Sequence, residues 1–248
     1  FTDLVLKTEL TPAQKEYLQI VTQSAESLLN IINDILDFSK IEAGKLELFI
    51  EKADLQEIGN QAIDLITFQA QQKGLEILLH IPPQLPRFVW TDIVRMKQVL
   101  VNLLSNAVKF TEFGEVELKI EIVKMIDTST ALLRFSVRDT GIGINPDKMH
   151  VIFEAFTQED SSTTKRFGGT GLGLTISNKL LSMMGSRLQL ESEQGKGSLF
   201  FYEIPLRFEN GQKGAGEEIG SVKKVLIVDD NSNNRKILKE MLHHIGIK

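Results

Sequence analysis

The sequence has no cysteine and only four histidines among 248 residues. The absence of cysteine excludes disulfides, cysteine-ligated zinc, iron–sulfur clusters and a thiol nucleophile. The histidines are scattered and no H-E-x-x-H sequence occurs, which argues against a catalytic zinc site. No apolar run approaches the roughly 20 residues that cross a bilayer, and no signal peptide opens the chain. Disulfide-rich, zinc-hydrolase and membrane-spanning classes are therefore disfavoured for this segment.

An excess of basic residues is also missing. The chain has 28 Lys and Arg against 33 Asp and Glu, a net charge of −5, so it has no basic footprint for nucleic acid. Hydrophobic residues make up 42% of the sequence and charged residues 25%, which is a composition able to bury a core. At ~150 residues per domain, the length predicts one whole domain plus pieces. Because the first residue is Phe1 rather than Met, we expect a cut at that end.

A long helix is predicted near the beginning of the chain. Thr11 as N-cap, Pro12 at the first helical position and Gln14 three residues after the cap form a capping box. A seam with alternating spacings of four and three residues follows, which is typical of a helix in a multi-helix bundle. The positions of this seam are Tyr17, Val21, Ser24, Leu28, Ile31, Ile35 and Phe38. The pattern predicts a helix over 13–40 that packs against another helix.

After Gly44 the pattern changes to mixed α/β. Helices are predicted at 54–73, 92–110 and 171–184. Strands are predicted at 75–81, 115–124, 131–139, 187–192 and 197–208. Residues 209–221 are rich in Gly and charge and poor in apolar side chains, which indicates a linker. Beyond the linker, KKVLIVDD and SNNRKILKEMLHHIG are interpreted as the first strand and helix of a new α/β domain.

The helix at 92–110 carries the first candidate constellation. It is apolar nearly all round, yet one stripe of it is polar. The residues of this stripe are Arg95, Gln98, Asn102, Asn106 and Lys109. An ordinary solvated face is one interpretation. The other is a ligand wall, in which an Asn oxygen suits Mg²⁺ beside phosphate and a Lys meets the phosphate.

A second constellation follows a strand, and a third precedes a helix. Arg138-Asp139-Thr140-Gly141-Ile142-Gly143-Ile144 combines a carboxylate with two glycines that permit a sharp turn. An aspartic protease also uses Asp-Thr-Gly but needs two copies, and a single copy would require a homodimer.

The stretch 167–174, FGGTGLGL, is predicted to form the start of a helix. It is interpreted either as a flexible turn or as an anion site at the helix N-terminus. Neither a Walker A nor a G-x-G-x-x-G sequence is present.

The segment TQEDSSTTKR lies just before the third constellation and is predicted to form a mobile lid. It is polar, and its cations Lys165 and Arg166 can reach a polyphosphate. Phe153 and Phe156 are interpreted as packing anchors for this lid. A lid of this kind is typical of a site that closes over a phosphorylated ligand.

Together these motifs resemble those of the sensor histidine kinases. QVLVNLLSNAVKFT matches the N box, RDTGIGI the first Gly box, FEAFTQ the F box and GGTGLGL the second Gly box. The resemblance as a whole covers about residues 1–208. It implies the fold class α/β: a Bergerat-type (GHKL) ATP-binding α/β sandwich, shared with Hsp90 and gyrase B, preceded by a long helix of a helical-hairpin dimerisation domain. The implied cofactors are ATP and Mg²⁺.

The resemblance also implies roles for individual residues. It assigns Mg²⁺ coordination to Asn106, phosphate contacts to Asn102 and Lys109, and the adenine amino group to Asp139. The residues that it places around the adenine pocket, the lid and the phosphates are Gly141, Gly143, Lys165, Arg166, Gly169, Thr170, Gly171, Leu172 and Gly173. In the hydrolysing relatives a Glu precedes the Mg²⁺-binding Asn by four residues. Because Asn102 stands there and cannot take a proton, negligible intrinsic ATP hydrolysis is predicted.

Four regions are predicted on this basis. Residues 1–48 resemble part of the dimerisation and histidine phosphotransfer hairpin, 49–208 the catalytic ATP-binding domain, 209–221 a linker, and 222–248 the start of a receiver domain. The H-E-x-x-x-P box of the phosphoacceptor His is missing, and the four His present are interpreted as structural or surface residues. These are His80, His150, His243 and His244. Asp229 and Asp230 would belong to the Mg²⁺-binding acidic pocket of the receiver.

The predicted activity is transfer of the ATP γ-phosphoryl group to a histidine outside this sequence, and then to a receiver aspartate. A non-catalytic, ATP-responsive scaffold is the alternative. The expected partners are a second copy through the hairpin, a receiver domain of the same or another protein, and a downstream phosphotransfer protein. This segment is expected in the cytoplasm, where ATP is available. Whether the parent protein is anchored in the cell membrane is left open.

Overall fold

The structure is a computed structural model that describes residues 1–149, 151–154, 171–209, 224–244 and 246–247. Helix α1 spans Thr2–Val5 and helix α2 spans Pro12–Glu42. The predicted capping box of α2 is confirmed, because Thr11 Oγ1 accepts from Gln14 N–H (3.3 Å) and Gln14 Oε1 accepts from Thr11 N–H (2.9 Å). The signal for the start of this helix was therefore local and complete in the sequence.

Three further helices form one layer. Helix α3 spans Leu55–Lys73, α4 spans Ile93–Phe110 and α5 spans Gly173–Met183. Asp54 and Asp92 cap α3 and α4 with their carboxylates, and Asp92 also accepts from Phe49 N–H at 2.9 Å. These bonds satisfy backbone N–H groups that a helix start otherwise leaves unpaired.

The second layer is a mixed sheet of seven strands in the described residues. The strands are β1 Glu51–Asp54, β2 Glu76–His80, β3 Phe88–Thr91, β4 Glu115–Met125, β5 Thr130–Asp139, β6 Leu188–Glu193 and β7 Gly197–Phe208. Their order is β1-β3-β7-β5-β4-β2, with β6 paired to β7. Only the pairing of β2 with β4 is parallel among the strands described.

The main core lies between the sheet and the helix layer. Alternate residues of β5, such as Leu133 and Phe135, are buried against α4 side chains such as Leu100 and Leu104. The intervening residues of β4 and β5 point to the outer face of the sheet, where Arg138 pairs with Glu115 and Glu117. This alternation is the period of two that the sequence showed over 115–124 and 131–139. The expected α/β sandwich behind a long helix is confirmed.

Two predictions about strands need correction. Strands β1 and β3 were not predicted, because four residues are too few to show an alternating pattern. The strand predicted at KKVLIVDD is wrong, since residues 224–229 form no ladder with any described strand. An extended segment becomes a strand only when a neighbour pairs with it. The helix that follows is present as α6, Ser232–His244.

Within the described part of the chain, no helix is both long enough and apolar enough to cross a membrane.

Candidate nucleotide site

Strand β5 ends at a buried carboxylate, which lies on the face of the sheet that packs against the helices. Asp139 is 6% exposed, and its Oδ1 accepts from the backbone N–H groups of Gly141 (2.8 Å) and Ser198 (3.2 Å). None of the described residues donates to Oδ2. Burial raises the pKa of Asp139, although the two N–H groups and Arg138 act in the opposite direction. Asp139 therefore has one oxygen held by the backbone and the other available to a ligand.

The turn after Asp139 has no room for side chains at its glycines. A Cβ on Gly141 would lie 2.4 Å from the backbone oxygen of Phe110, at the end of α4. Gly143 has a φ of 66°, and a Cβ there would lie 2.1 Å from the backbone oxygen of Glu193. Glycine at both positions lets the turn fit between α4 and the β6–β7 hairpin. The first Gly box is thus explained by close backbone approach.

The polar stripe of α4 divides between two neighbours. Arg95 Nη1 and Gln98 Nε2 donate to Asp37 Oδ2 of α2, at 3.1 and 2.8 Å. The interpretation of the whole stripe as a ligand wall is therefore wrong for these two residues. The N-terminal half of α4 packs beside α2, where Asp37 takes both donors.

The middle of the stripe faces helix α5. Asn102 Nδ2 donates to Ser177 Oγ of α5 (2.9 Å), and Asn106 Nδ2 lies 3.5 Å from Asn102 Oδ1. A Cβ on Gly173 would lie 2.3 Å from the same Asn102 Oδ1. Asn102, Asn106 and the first residue of α5 are therefore brought together, as the sequence predicted.

Lys109 lies on the last turn of α4. Its Nζ is 4.8 Å from the centre of the Phe110 ring, and burial lowers its pKa. The helix end itself is held by Lys73 of α3, whose Nζ donates to the carbonyls of Val108 (2.7 Å) and Lys109 (2.8 Å). A cation at a helix C-terminus interacts favourably with the exposed carbonyls. The last turn of α4 is therefore fixed in place.

Among the described residues, no side chain caps the start of helix α5. Leu172 occupies the N-cap position and is 1% exposed, and Gly171 has a φ of 70°. Uncapped N–H groups at a helix start form a ready anion site. The predicted lid residues Lys165, Arg166, Gly169 and Thr170, and also Phe156, lie outside the described residues. Phe153 packs against the core, and its predicted role as an anchor for the lid remains a prediction.

Three residues of this region were not predicted. Ser177 accepts a hydrogen bond from Asn102, and Ser198 donates its backbone N–H to Asp139. Gly197 has a φ of 110°, and a Cβ added to it would lie 2.1 Å from the backbone oxygen of Asp139. The glycine at position 197, at the start of a predicted strand, was a sequence signal of a special backbone position. The strand pairing that brings this position beside Asp139 could not be predicted from the sequence.

Asp229 and Asp230 lie just before α6. Asp229 Oδ1 accepts from Asn231 N–H (2.8 Å) and Oδ2 accepts from Asn234 Nδ2 (2.6 Å). In the described residues, no group of three or more acidic, His or Cys side chains is placed to hold a metal ion. Metal binding by this pair remains a prediction.

The geometry fits a nucleotide bound between α4 and the start of α5. It offers a buried acceptor with an available oxygen, glycines that permit close approach, amide side chains and an uncapped helix start. A single Asn oxygen also fits Mg²⁺, which usually keeps several waters and binds phosphate oxygens in addition to a few protein ligands.

Two family models match the chain. Residues 91–208 match the histidine kinase-, DNA gyrase B- and HSP90-like ATPase, and residues 1–44 match the His Kinase A (phospho-acceptor) domain. The first range contains every described residue of the site. The chain belongs to the histidine kinase family.

Named relatives agree with this assignment. The chain is 42% identical over 206 residues to the signal transduction histidine-protein kinase BarA of Escherichia coli (strain K12), covering 83% of this chain and 22% of that protein. It is 36% identical over 250 residues to the sensor histidine kinase GacS of Pseudomonas protegens, covering 100% of this chain and 27% of that protein. The chain therefore spans about a quarter of the length of these relatives.

One solved structure has a similar fold. The structure of full-length ShkA in complex with AMPPNP matches with a TM-score of 0.79 and 33% identity, covering 100% of this chain and 50% of that chain. The phospho-acceptor match ends at residue 44 and the ATPase match begins at residue 91. Residues 1–44 contain no histidine, because the four histidines lie at 80, 150, 243 and 244.

Proposed function

We propose that this kinase segment binds ATP with Mg²⁺ and transfers the γ-phosphoryl group to a histidine outside residues 1–44. The observation that carries the proposal is the buried Asp139 carboxylate, with Oδ1 held by two backbone N–H groups and Oδ2 available. A fixed acceptor suits the amino group of adenine, whereas guanine would present an oxygen there and be repelled.

The remaining site residues are proposed to hold the phosphates. Asn106 directs its nitrogen towards Asn102, which leaves its Oδ1 for Mg²⁺. Lys109 and the uncapped start of α5 contribute positive charge. When bound, Mg²⁺ would neutralise charge on the phosphate oxygens. The proposed contributions of Gly169, Thr170, Lys165 and Arg166 rest on the motif alone.

In the proposed reaction, a histidine nitrogen forms a bond to the γ-phosphorus while the bond to the bridging oxygen breaks and ADP leaves. The protein groups of this chain do no covalent chemistry. They hold the nucleotide in line and stabilise charge, which are the main contributions in phosphoryl transfer. Asn102 donates to Ser177 and offers no base for water. Negligible ATP hydrolysis is therefore part of the proposal.

We further propose the division 1–48, 49–208, 209–221 and 222–248 into hairpin part, catalytic domain, linker and receiver start. The match of 1–44 to a phospho-acceptor domain supports dimerisation through this region. Onward transfer to a receiver aspartate, a downstream phosphotransfer protein, and Mg²⁺ binding near Asp229 and Asp230 follow from the same proposal. A cytosolic location of this segment is part of the proposal, because the proposed reaction needs ATP.

The substitution Asp139→Ala tests the adenine assignment. Loss of a hydrogen bond to a charged group costs about 1.5–3 kcal/mol, so AMPPNP affinity should fall about 10- to 150-fold in a calorimetric titration. The exposed Asp147→Ala is the matched control and should keep the affinity of the unaltered chain. Equal affinity of the two variants would show that Asp139 does not bind the base.

Label transfer tests the activity itself. A separately prepared hairpin that carries the phosphoacceptor histidine is mixed with this chain and ATP labelled at the γ-phosphate. The hairpin should gain acid-labile label with the unaltered chain and with Asp147→Ala, and much less with Asp139→Ala. Nucleotide binding without any transfer would instead support the scaffold alternative.

A further inference from the structure

Helix α6 and Asn231, the residue before it, contact the outer face of the sheet at the edge formed by β2 and β4. Asn231 Nδ2 donates to carboxylate oxygens of Glu76 and of Glu115 (2.7 Å to the latter). Asn233 Nδ2 donates to the other oxygen of Glu115 at 2.6 Å. At the far end of α6, Glu240 Oε2 lies 2.9 Å from His80 Nε2.

The contacting residues follow the periods of their elements. Glu76, Leu78 and His80 alternate along β2 and therefore lie on one face of the strand. On α6, Asn233, Ile237 and Glu240 are spaced four and three residues apart and share one helix face. Four residues of strand and nine residues of helix both span about 13 Å. The helix from Asn231 to Glu240 thus matches β2 in length and direction.

Burial shows that this contact has an apolar centre. Leu78 is 4% exposed and Ile237 is 6% exposed, although neither belongs to the main core between sheet and helices. They lie midway between the polar contacts at the two ends of the helix. The next residue on α6, Leu238, is 37% exposed. The buried pair therefore belongs to a small second core between α6 and the sheet.

Glu115 connects this contact to the sheet. Burial alone would raise its pKa, but hydrogen bonds from Arg138, Asn231 and Asn233 lower it on balance. Arg138 and the docked helix lie on the outer face, whereas the neighbouring Asp139 lies on the helix side with the nucleotide site. The contact therefore leaves the nucleotide site uncovered.

We infer that the outer face of β2 and β4 is a docking surface for residues 231–244 of this chain, and that it is occupied whether or not nucleotide is bound. The segment is anchored by two carboxamides that donate to Glu76 and Glu115, by the burial of Ile237 and Leu78, and by Glu240 at His80. Because the two sites lie on opposite faces of the sheet, the segment does not compete with ATP.

Hydrogen exchange on the full chain tests the docking. A free helix of 13 residues is marginal in water, so slow exchange of the α6 amides reports docking. The double substitution Asn231→Asp and Asn233→Asp keeps the N-cap and places negative charge at the helix start, both of which favour a free helix. It removes the donors to Glu76 and Glu115. Exchange of α6 should become at least about 10-fold faster.

A pair of alanine variants separates docking from helix propensity. Alanine has the highest propensity, so both Ile237→Ala and Leu238→Ala favour the free helix. We expect α6 to exchange at least about 10-fold faster in Ile237→Ala and within about 3-fold of the unaltered chain in Leu238→Ala. Amides of β5 and α4 should be unchanged in all variants, which controls for the fold.

Two results would overturn the inference. Unchanged or slower exchange of α6 in the Asp double variant and in Ile237→Ala would show that the helix does not depend on this surface. Faster exchange of α6 after saturation with AMPPNP and Mg²⁺ would show that nucleotide displaces the segment. Unchanged exchange with nucleotide supports independent occupancy of the two faces.

Discussion

At the scale of single residues, Asp139 combines a cost in stability with its proposed role as the acceptor for adenine. Its carboxylate is removed from water, and two N–H groups and Arg138 compensate only in part, so its pKa remains raised. A neutral side chain of the same shape would avoid this cost. An acceptor with a full negative charge is nevertheless the better partner for an amino group.

The substitution Asp139→Asn should therefore stabilise the nucleotide-free chain at pH 7. A group with a raised folded pKa contributes stability at acid pH, and this contribution is lost as the pH rises through that pKa. The neutral Asn does not suffer this loss, so thermal unfolding should occur at a higher temperature than in the unaltered chain. The difference should shrink as the pH falls through the raised pKa of Asp139, because the carboxyl is then protonated and neutral.

The exposed Asp147→Asn provides the control and should leave the unfolding temperature unchanged at both pH values. A lower unfolding temperature for Asp139→Asn at pH 7 would contradict the argument. It would mean that the negative charge is needed to hold the N–H groups of Gly141 and Ser198.

The residues of the candidate site were easier to predict from the sequence than the partners that each of them contacts. Asn102 and Asn106 were placed beside the phosphate site from their motif, and the structure brings both to the start of α5. Arg95 and Gln98 stand on the same stripe but bind Asp37. Nothing local distinguishes the two pairs, because the partner of each is chosen by packing between helices.

At the scale of elements, the site depends on how closely the end of α4 approaches the turn after β5. A Cβ on Gly141 would lie 2.4 Å from the Phe110 carbonyl and 2.9 Å from Asp139 Oδ1. A methyl group can be accommodated there only by separating the two elements. Overpacking of this kind usually costs about 1–3 kcal/mol.

Gly141→Ala should accordingly lower the free energy of unfolding by about 1–3 kcal/mol in a urea titration, and should weaken AMPPNP binding. The control is Gly59→Ala in the middle of α3, where the new methyl would lie 2.9 Å from Cδ1 of Ile81 and 3.4 Å from Cδ1 of Leu79, both of which are ends of flexible side chains. Alanine there also gains helix propensity, up to about 1 kcal/mol. If Gly141→Ala were as stable as Gly59→Ala, the tight contact would have no energetic role.

Elements with a long pattern were predicted well. Helices α2, α3 and α4 and strands β4, β5 and β7 agree with the sequence within a few residues. Strands β1 and β3 were missed because each has four residues. The strand expected at 223–230 is absent from 224–229, since its apolar side chains carry the pattern of a strand but meet no partner strand.

At the scale of the whole molecule, the apolar seam of α2 is exposed over most of its length in the described part of the chain. Tyr17, Val21, Leu28 and Ile35 are each about half exposed or more along the surface of α2. An apolar stripe of this length is costly in water and is typical of a bundle interface. The match of 1–44 to a phospho-acceptor domain agrees with dimerisation at this surface.

The double substitution Leu28→Glu and Ile35→Glu should convert a dimer to a monomer in sedimentation velocity, with unchanged AMPPNP affinity. A buried Leu or Ile contributes roughly 1.5–3 kcal/mol, and a two-fold interface loses four of them. Gln19→Glu with Asn30→Glu adds the same charge on exposed polar positions of α2 and should remain dimeric. A monomeric unaltered chain would rule out this interface.

The sequence by itself determined the fold class and the long capped helix, and it identified Asn102, Asn106 and Asp139 as residues of the candidate nucleotide site. These features are set by local periodicity, capping and motif spacing, which act over a few residues. Tertiary structure alone decided that Arg95 and Gln98 bind α2, that Ser198 and Gly197 meet Asp139, and that α6 contacts Glu115 and His80. Such contacts join residues up to 160 positions apart, and their geometry depends on how whole elements pack.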